Sequence, residues 1–259
     1  MSCRGLVLAA GRGSRMESLT ELRPKCLVPI AGKRLIEWQR DALQAAGVSP
    51  VAAVGGYRSD LLTPFLPVPF VNERWAETNM VASLAVARDW MSATDVIVSY
   101  SDIAYAVEWV TRLIDAPPAP ITIAFDRKWW DLWSLRFEDP LSDAETFRID
   151  ASGRLLEIGG KTEDSGAIEG QYMGLLRFSS EGWAAVEELL ADLHDIPDRD
   201  RLDMTGMLSR LIARGVEIAT VPVDGRWAEV DQRVDLEAYE AALLANEAKG
   251  TTWSHDWRG

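Results

Sequence analysis

The sequence predicts an α/β fold: a mixed, mainly parallel central sheet flanked by helices, with an inserted lobe in the second half. Two observations carry this. Short apolar runs alternate with amphipathic helical segments through the first hundred residues, the pattern of a parallel sheet covered on both faces. Beyond residue 106 the alternation loosens into a proline break and clustered short strands, yet neither an internal repeat nor a Gly/Ser-rich linker divides the chain. One domain over residues 1–250 fits best, with halves at 5–105 and 106–236 and a tail at 251–259. At 259 residues, 47% of them hydrophobic and 26% charged, the chain can build one sizeable core.

Leu6, Val7 and Leu8 open the chain as a buried strand. Ala9, Ala10, Gly11, Arg12, Gly13 and Ser14 follow as a loop of mostly small residues that lets the backbone approach a ligand. Lys33 to Gly47 reads as a helix, since Leu35, Ile36, Trp38, Leu43 and Ala46 recur at helical spacing and Gly47 supplies a stop. Pro50 to Gly55 is a second strand, Ser59 to Phe65 a short helix, and Phe70-Val71 the start of a third strand. Thr78 to Met91 is expected as one helix, and Asp95 to Tyr100 as a buried strand with Ser101-Asp102 at its carboxyl end.

In the second half Val107 to Ile114 reads as a helix, Pro117, Pro118 and Pro120 as a break, and Ile121 to Phe125 as a strand. Phe147 to Ile149, Leu155 to Ile158 and Tyr172 to Phe178 are expected as strands of the mixed sheet. Helices follow at Gly182 to Leu193 and Asp203 to Arg214, then a strand at Val216 to Val223 and a closing helix at Val234 to Lys249. The tail is polar apart from two tryptophans, which leaves open whether it docks.

Ligands of such sheets sit beyond the carboxyl ends of the strands, where the Gly-rich loop, Gly55-Gly56-Tyr57 and Asp102 all fall. Gly11 and Gly13, lacking Cβ, can take positive φ and aim successive N–H groups at one point, a nest suited to a triphosphate. Arg15 adds a planar fork of donors and Lys25 a compact charge, a pair matched to a departing pyrophosphate. Neither GxGxxG nor GxxxxGK[ST] is present, because Met16 stands where the former needs glycine.

The run L-x-A-A-G-x-G-S-R-M, followed by Arg23-Pro24-Lys25, resembles the nucleotidyltransferases that activate sugar phosphates and phosphocholine. The resemblance is densest over residues 5–105 and patchy over 145–236. It implies a nucleotide-diphospho-sugar-transferase-like fold, with Leu8 to Ser14 around the nucleotide and Arg15 and Lys25 on the leaving pyrophosphate. It also implies Mg²⁺ held by Asp102 and by Asp231 of Trp227-Ala-Glu-Val-Asp231. Asp102 as a turn residue and Asp231 as a helix cap are the plainer alternatives; Asp235 reads as a first-turn helix acid.

Thr78-Asn79-Met80-Val81-Ala82-Ser83 resembles the T-N-x-x-x-S-L segment of phosphocholine cytidylyltransferases. With Gly55 and Tyr57 it would place Asn79 and Ser83 at the base; an amide can read a cytosine edge, although Asn79 suits a simple N-cap equally. Glu157 to Lys161 and Glu169 to Gly174 resemble acceptor-side elements, which assigns Lys161, Tyr172 and Gly174 to the acceptor. Where the sugar branch carries Gly-Asp and Asp-x-Gly-Thr-Pro, this chain reads Ser101-Asp102 and Asp231-Gln-Arg-Val. The resemblance therefore points to CTP and a small phosphorylated or phosphonate acceptor. A sugar-1-phosphate enzyme using UTP or dTTP, and a non-catalytic nucleotide sensor, are the rivals.

Eleven tryptophans is a high count. Trp129, Trp130 and Trp133 could cage a quaternary ammonium beside Asp131, with Trp130 as the acceptor contact. They could equally pack the lobe, leaving an anionic acceptor to Lys128, Arg136 and Lys161. A net charge of −13 argues against nucleic acid or an anionic membrane as partner. Cys3 and Cys26 lack metal spacing and read as free buried thiols. With no leader and no bilayer-length apolar run, a cytoplasmic enzyme is expected, and a homodimer is left open.

Overall fold

The computed structural model describes residues 3–193 and 196–259. Its central sheet has strands numbered here in chain order: β1 Arg4–Ala9, β2 Val51–Gly55, β3 Phe70–Val71, β4 Val96–Tyr100, β5 Ile121–Asp126, β6 Gln171–Phe178 and β7 Ile218–Val223. Their spatial order is β7-β5-β6-β4-β1-β2-β3. β6 runs antiparallel to both β4 and β5, while the other pairs are parallel, so the sheet is mixed and mainly parallel.

Side chains of a strand alternate between faces, and both faces here are apolar. Leu6 and Leu8 join Val98, Ile123 and Phe178 beneath helices Met80–Val86, Ser180–Asp192 and Met204–Ala213. Val7 and Ala9 join Ile97, Ala124 and Leu175 on the opposite face, beneath Leu35–Ala45, Val107–Asp115 and Arg233–Lys249. The near-continuous apolar runs of the strands follow from this double burial.

Several local expectations are corrected. Ser59 to Phe65 shrinks to a turn of 3-10 helix at Ser59–Leu61, and Thr78 to Met91 divides at Ala87 into Met80–Val86 and Arg88–Met91. Lys33 and Arg34 pair with Pro29–Ile30 instead of starting the helix. Glu145–Ile149 and Leu155–Lys161 form their own antiparallel hairpin, so β6 is the strand of that group that enters the central sheet. A helix at Trp129–Arg136 was not expected at all.

Two features position the site. After β3 the chain returns to the other side of β1, so the order reverses between β1 and β4, and a crevice opens where their following loops part. Then Ile103–Tyr105, just beyond β4, pairs antiparallel with Trp227–Glu229, far along the chain. The Val230 amide donates to the Asp102 carbonyl at 2.8 Å, which extends that ladder to the two acidic positions.

The 251–259 segment docks. Trp253 packs on Tyr239 with ring centroids 5.5 Å apart, and Trp257 is buried edge-on against Trp38 at 6.2 Å. Among the described residues no helix is long and apolar enough to cross a membrane.

Cys3 and Cys26 are free and buried. Burial pushes the Cys3 thiol from its ordinary 9.0 up to about 11 and the Cys26 thiol up to about 12. The thiolate is the reactive form, so near pH 8 no more than about one thiol in a thousand is ionised at either position. Both cysteines are expected to resist iodoacetamide in the native protein and to react on unfolding. Because folding raises these pKa values, the neutral thiols stabilise the fold below pH 9, and that contribution is lost as pH rises through 11 to 12. Rapid native alkylation near pH 8 would contradict this burial.

Candidate active site

The cleft between the β1 and β4 loops is lined by Leu8, Ala10, Gly11, Gly13, Arg15, Lys25, Asn79, Ser83 and Asp102 among the expected residues, and also by Trp75 and Tyr100. Gly13 takes φ +73° and its carbonyl accepts from the Met16 amide at 3.0 Å and the Thr20 hydroxyl at 2.8 Å, which turns the loop into the 3-10 helix Ser14–Thr20. A Cβ at Gly13 would lie 2.7 Å from that of Lys25, so glycine is required where the loop crosses the lysine. Gly11 does not take the positive φ expected of it. A Cβ there would meet nothing within 4 Å, so Gly11 borders open cleft.

Lys25 is the hub of the cleft floor. Its ammonium lies 2.9 Å from Asp102 Oδ2 and 2.5 Å from Asp231 Oδ1, and Arg15 Nη2 reaches Asp231 Oδ1 at 3.1 Å. Burial opposes the charge on Lys25, but the two carboxylates outweigh it and raise its pKa. Burial likewise opposes the Asp231 charge, while Lys25, Arg15 and Arg136 hold its pKa below the ordinary value. Asp231 does not cap the closing helix. Asp235 does that work, accepting from the Asp231 and Gln232 amides at 2.7 and 2.8 Å.

Glu229, absent from the expected set, completes an acidic group with Asp102 and Asp231 in which one oxygen from each lies within 4.8 Å of the others. Burial, then the Asp231 charge, push Glu229 up to about 7, against the pull of Arg136. Asp102 Oδ1 is buried without a hydrogen-bond partner. An all-oxygen donor set with an orphaned carboxylate oxygen suits a hard divalent cation. Glu229 ends the Trp227–Glu229 strand two residues before Asp231, and it joins the group because that strand pairs beside Asp102.

Arg136 is not available to an anionic acceptor. Its side chain is fully buried, with Glu229 at 2.8 Å and Asp231 and Asp235 each at 3.4 Å, and it lies over the Trp133 and Phe137 rings. It offsets the acidic group from behind. Trp129 and Trp133 are buried in the core, so they build no three-ring cage. Trp130 is 45% exposed against Trp129 and does not line the cleft.

Other expected residues support the cleft from behind. Ala9 faces the opposite core. Ser14 is exposed, and Arg12 lies over the Tyr57 ring, which meets the Trp75 ring at a 60° tilt with centroids 5.2 Å apart. The Tyr57 amide donates to the Ala10 carbonyl at 2.9 Å, fixing the loop end, and Gly55 is buried against Ser59 and Val68. Trp75, not Tyr57, presents its ring to the cleft. Asn79 both caps, accepting from the Met80 amide at 2.8 Å, and lines the cleft. Buried Asn72 donates to the Thr78 and Ser83 hydroxyls at 2.9 and 3.0 Å and so orients that wall.

Of the residues expected at the acceptor, Tyr172 packs edge-on against Tyr100 at 5.7 Å. Gly174, at φ +76°, leaves room for the Tyr100 ring, which a Cβ would approach to 2.6 Å. Lys161 is exposed at the end of the separate hairpin, and Lys128 is exposed before the Trp129–Arg136 helix.

Comparison with known proteins identifies the family and the fold. The model of the MobA-like NTP transferase domain matches residues 5–192. A CTP:phosphoglutamine cytidylyltransferase of Campylobacter jejuni is 38% identical over 247 residues, 90% of this chain and 97% of the relative. A 2-aminoethylphosphonate cytidylyltransferase of Lancefieldella rimae is 26% identical over 91% of both chains. The solved CTP:phosphocholine cytidylyltransferase of Streptococcus pneumoniae shares the fold, with a TM-score of 0.75 over 94% of this chain and all of that one, at 18% identity.

Proposed function

The chain belongs to the MobA-like NTP transferase family, and from that premise we propose that it is a Mg²⁺-dependent cytidylyltransferase that joins CTP to a small phosphorylated or phosphonate acceptor and releases pyrophosphate. One observation carries the reading: Lys25 and Arg15 meet Asp102 and Asp231 on the floor of a cleft walled by the Gly11–Gly13 loop. The choice of CTP rests on two relatives that this chain matches along nearly their whole length, both cytidylyltransferases.

The reaction is attack by an acceptor oxyanion on the α-phosphorus, in line with the leaving pyrophosphate. A phosphate monoester with a second pKa of about 6 is already a dianion at neutral pH, so no general base is needed. The work is positioning and charge neutralisation. The Gly11–Gly13 backbone borders the triphosphate, Arg15 and Lys25 offset charge growing on the β- and γ-phosphates, and Asn79 and Ser83 face the base beside Trp75. Asp102, Asp231 and Glu229 would hold Mg²⁺, which when bound neutralises phosphate charge. Arg136 keeps these carboxylates from repelling one another. Lys161 and Tyr172 are kept as the acceptor-side assignment, with Gly174 seating the Tyr100 ring beside Tyr172; Trp130, outside the cleft lining, is not.

The test is pyrophosphate release across CTP, UTP, dTTP and GTP, each with a phosphorylated glutamine amide, 2-aminoethylphosphonate, phosphocholine and a sugar 1-phosphate. CTP is expected to exceed the other triphosphates by about tenfold or more, as when a site hydrogen-bonds a specific edge. The phosphorylated amide is expected to lead the acceptors. Preference for UTP or dTTP with the sugar phosphate would replace this reading by the sugar branch, and silence across the panel by nucleotide sensing.

A further inference from the structure

Asp126, at the carboxyl end of β5, is fully buried outside the cleft, and its two oxygens have four partners. Oδ1 accepts from the Lys128 amide at 2.8 Å and the Gly225 amide at 2.9 Å. Oδ2 accepts from Trp227 Nε1 at 2.9 Å and faces His255 Nε2 at 3.0 Å. Three of the partners are N–H donors and a carboxylate oxygen only accepts, which assigns a proton to His255 Nε2, while Nδ1 meets the Ser254 hydroxyl at 3.0 Å. The chain Ser254–His255–Asp126 has the connectivity of a nucleophilic triad. The His255 and Asp126 side chains have no exposure, however, so no substrate reaches them.

What the carboxylate grips is the approach to the acidic group. Gly225 and Trp227 stand immediately before Glu229 and Asp231, and Trp227 begins the strand that pairs with Ile103–Tyr105. The 251–259 segment reinforces the same turn. The Ser254 carbonyl accepts from the Arg226 amide at 2.9 Å, and a Cβ on Gly225 would lie 2.3 Å from that carbonyl. The Trp109 indole donates to the Gly225 carbonyl at 2.9 Å. A buried polar group with every lone pair used fixes its neighbours more tightly than apolar packing does.

We propose that His255 is a positioning residue of the active site: acting through Asp126 and Trp227, it sets the Gly225–Trp227 turn and thereby the place of Glu229 and Asp231. This rests on the reading of Asp102, Glu229 and Asp231 as the cation site. Direct partners of metal ligands commonly matter by 10- to 100-fold in affinity; His255 acts one step further out, through Asp126 and Trp227, so its loss is expected at the lower bound, about tenfold.

The experiment measures Mn²⁺ binding to the full chain by calorimetry, beside melting temperature and steady-state kinetics, for His255→Leu, His255→Gln and Trp227→Phe. Trp227→Phe removes the indole donor to Asp126 together with one ring of a buried side chain and leaves His255 in place, so it tests the same linkage if His255→Leu does not fold. Expected are Mn²⁺ dissociation constants raised about tenfold in His255→Leu and Trp227→Phe, with kcat lowered and KM for CTP little changed. His255→Gln, which restores an N–H donor, should recover most of both. Mn²⁺ affinity at the wild-type level in Trp227→Phe, with melting temperature alone reduced, would overturn the inference and leave the proposed function standing. A wild-type protein that binds no Mn²⁺ would overturn the cation site and this inference together.

Discussion

Asp231→Asn is expected to lower turnover by on the order of 10²–10³ while leaving the fold intact, as does loss of a group that acts on developing charge. The carboxylate sits where Lys25, Arg15 and Arg136 converge, at 2.5, 3.1 and 3.4 Å. Asparagine keeps the volume and one oxygen but gives up the charge that a divalent cation would need. The fold is spared for a specific reason. The closing helix is capped through Gln232 and Asp235, and Asp231 contributes only its backbone amide to that cap. Lys25 also keeps Asp102 as a partner at 2.9 Å. Circular dichroism and melting should therefore resemble wild type while kcat collapses. Turnover within about threefold of wild type would remove Asp231 from the machinery.

Much of this was legible in the sequence because it is local. The apolar runs that became β1, β2, β4 and β5 are buried on both faces, and such strands announce themselves without help from distant residues. The Gly-rich loop, Lys25 and Asp102 follow strands that all end at one sheet edge, so strand order alone brings them together. Asp231 was reachable through family resemblance; its geometry depends on Trp227–Glu229 pairing with Ile103–Tyr105, a contact that no local pattern encodes.

The misreadings have the same origin. Arg136 looked like a surface cation, but the fold buries it against the Trp133 and Phe137 rings, where three carboxylates offset its desolvation. Trp129 and Trp133 looked available to a ligand until an unexpected helix turned them into the core. Glu229 was passed over because its significance appears only once Asp102 lies beside it. Trp75 stands in a loop with no periodicity, and its place in the cleft comes with a tilted ring contact to Tyr57.

Lys25→Met should separate catalysis from cation binding more sharply than any other single change. The lysine stem runs under the Gly13 crossing, so methionine fills most of its volume and the loop need not collapse. What disappears is the ammonium between Asp102 and Asp231, whose charge the two carboxylates sustain. Asp231 keeps Arg15 and Arg136 and Asp102 is partly exposed, so the cost stays below the roughly 3–5 kcal/mol of a fully unpaired buried charge, and the melting temperature in EDTA is expected to fall modestly. Mn²⁺ should restore much of that stability, and should bind more tightly than to wild type, because two adjacent carboxylates no longer share a resident cation. Turnover should nevertheless drop by on the order of 10²–10³, since the charge meant for the departing pyrophosphate is gone. The drop belongs in kcat, with KM for CTP changed far less, because the demand for this charge is greatest in the transition state. A raised KM with unchanged kcat would instead make Lys25 a uniform binding contact for the triphosphate. Weaker Mn²⁺ binding in the variant would mean that Lys25 organises the carboxylates for the cation, and the division of labour between Lys25 and the acidic group would have to be redrawn.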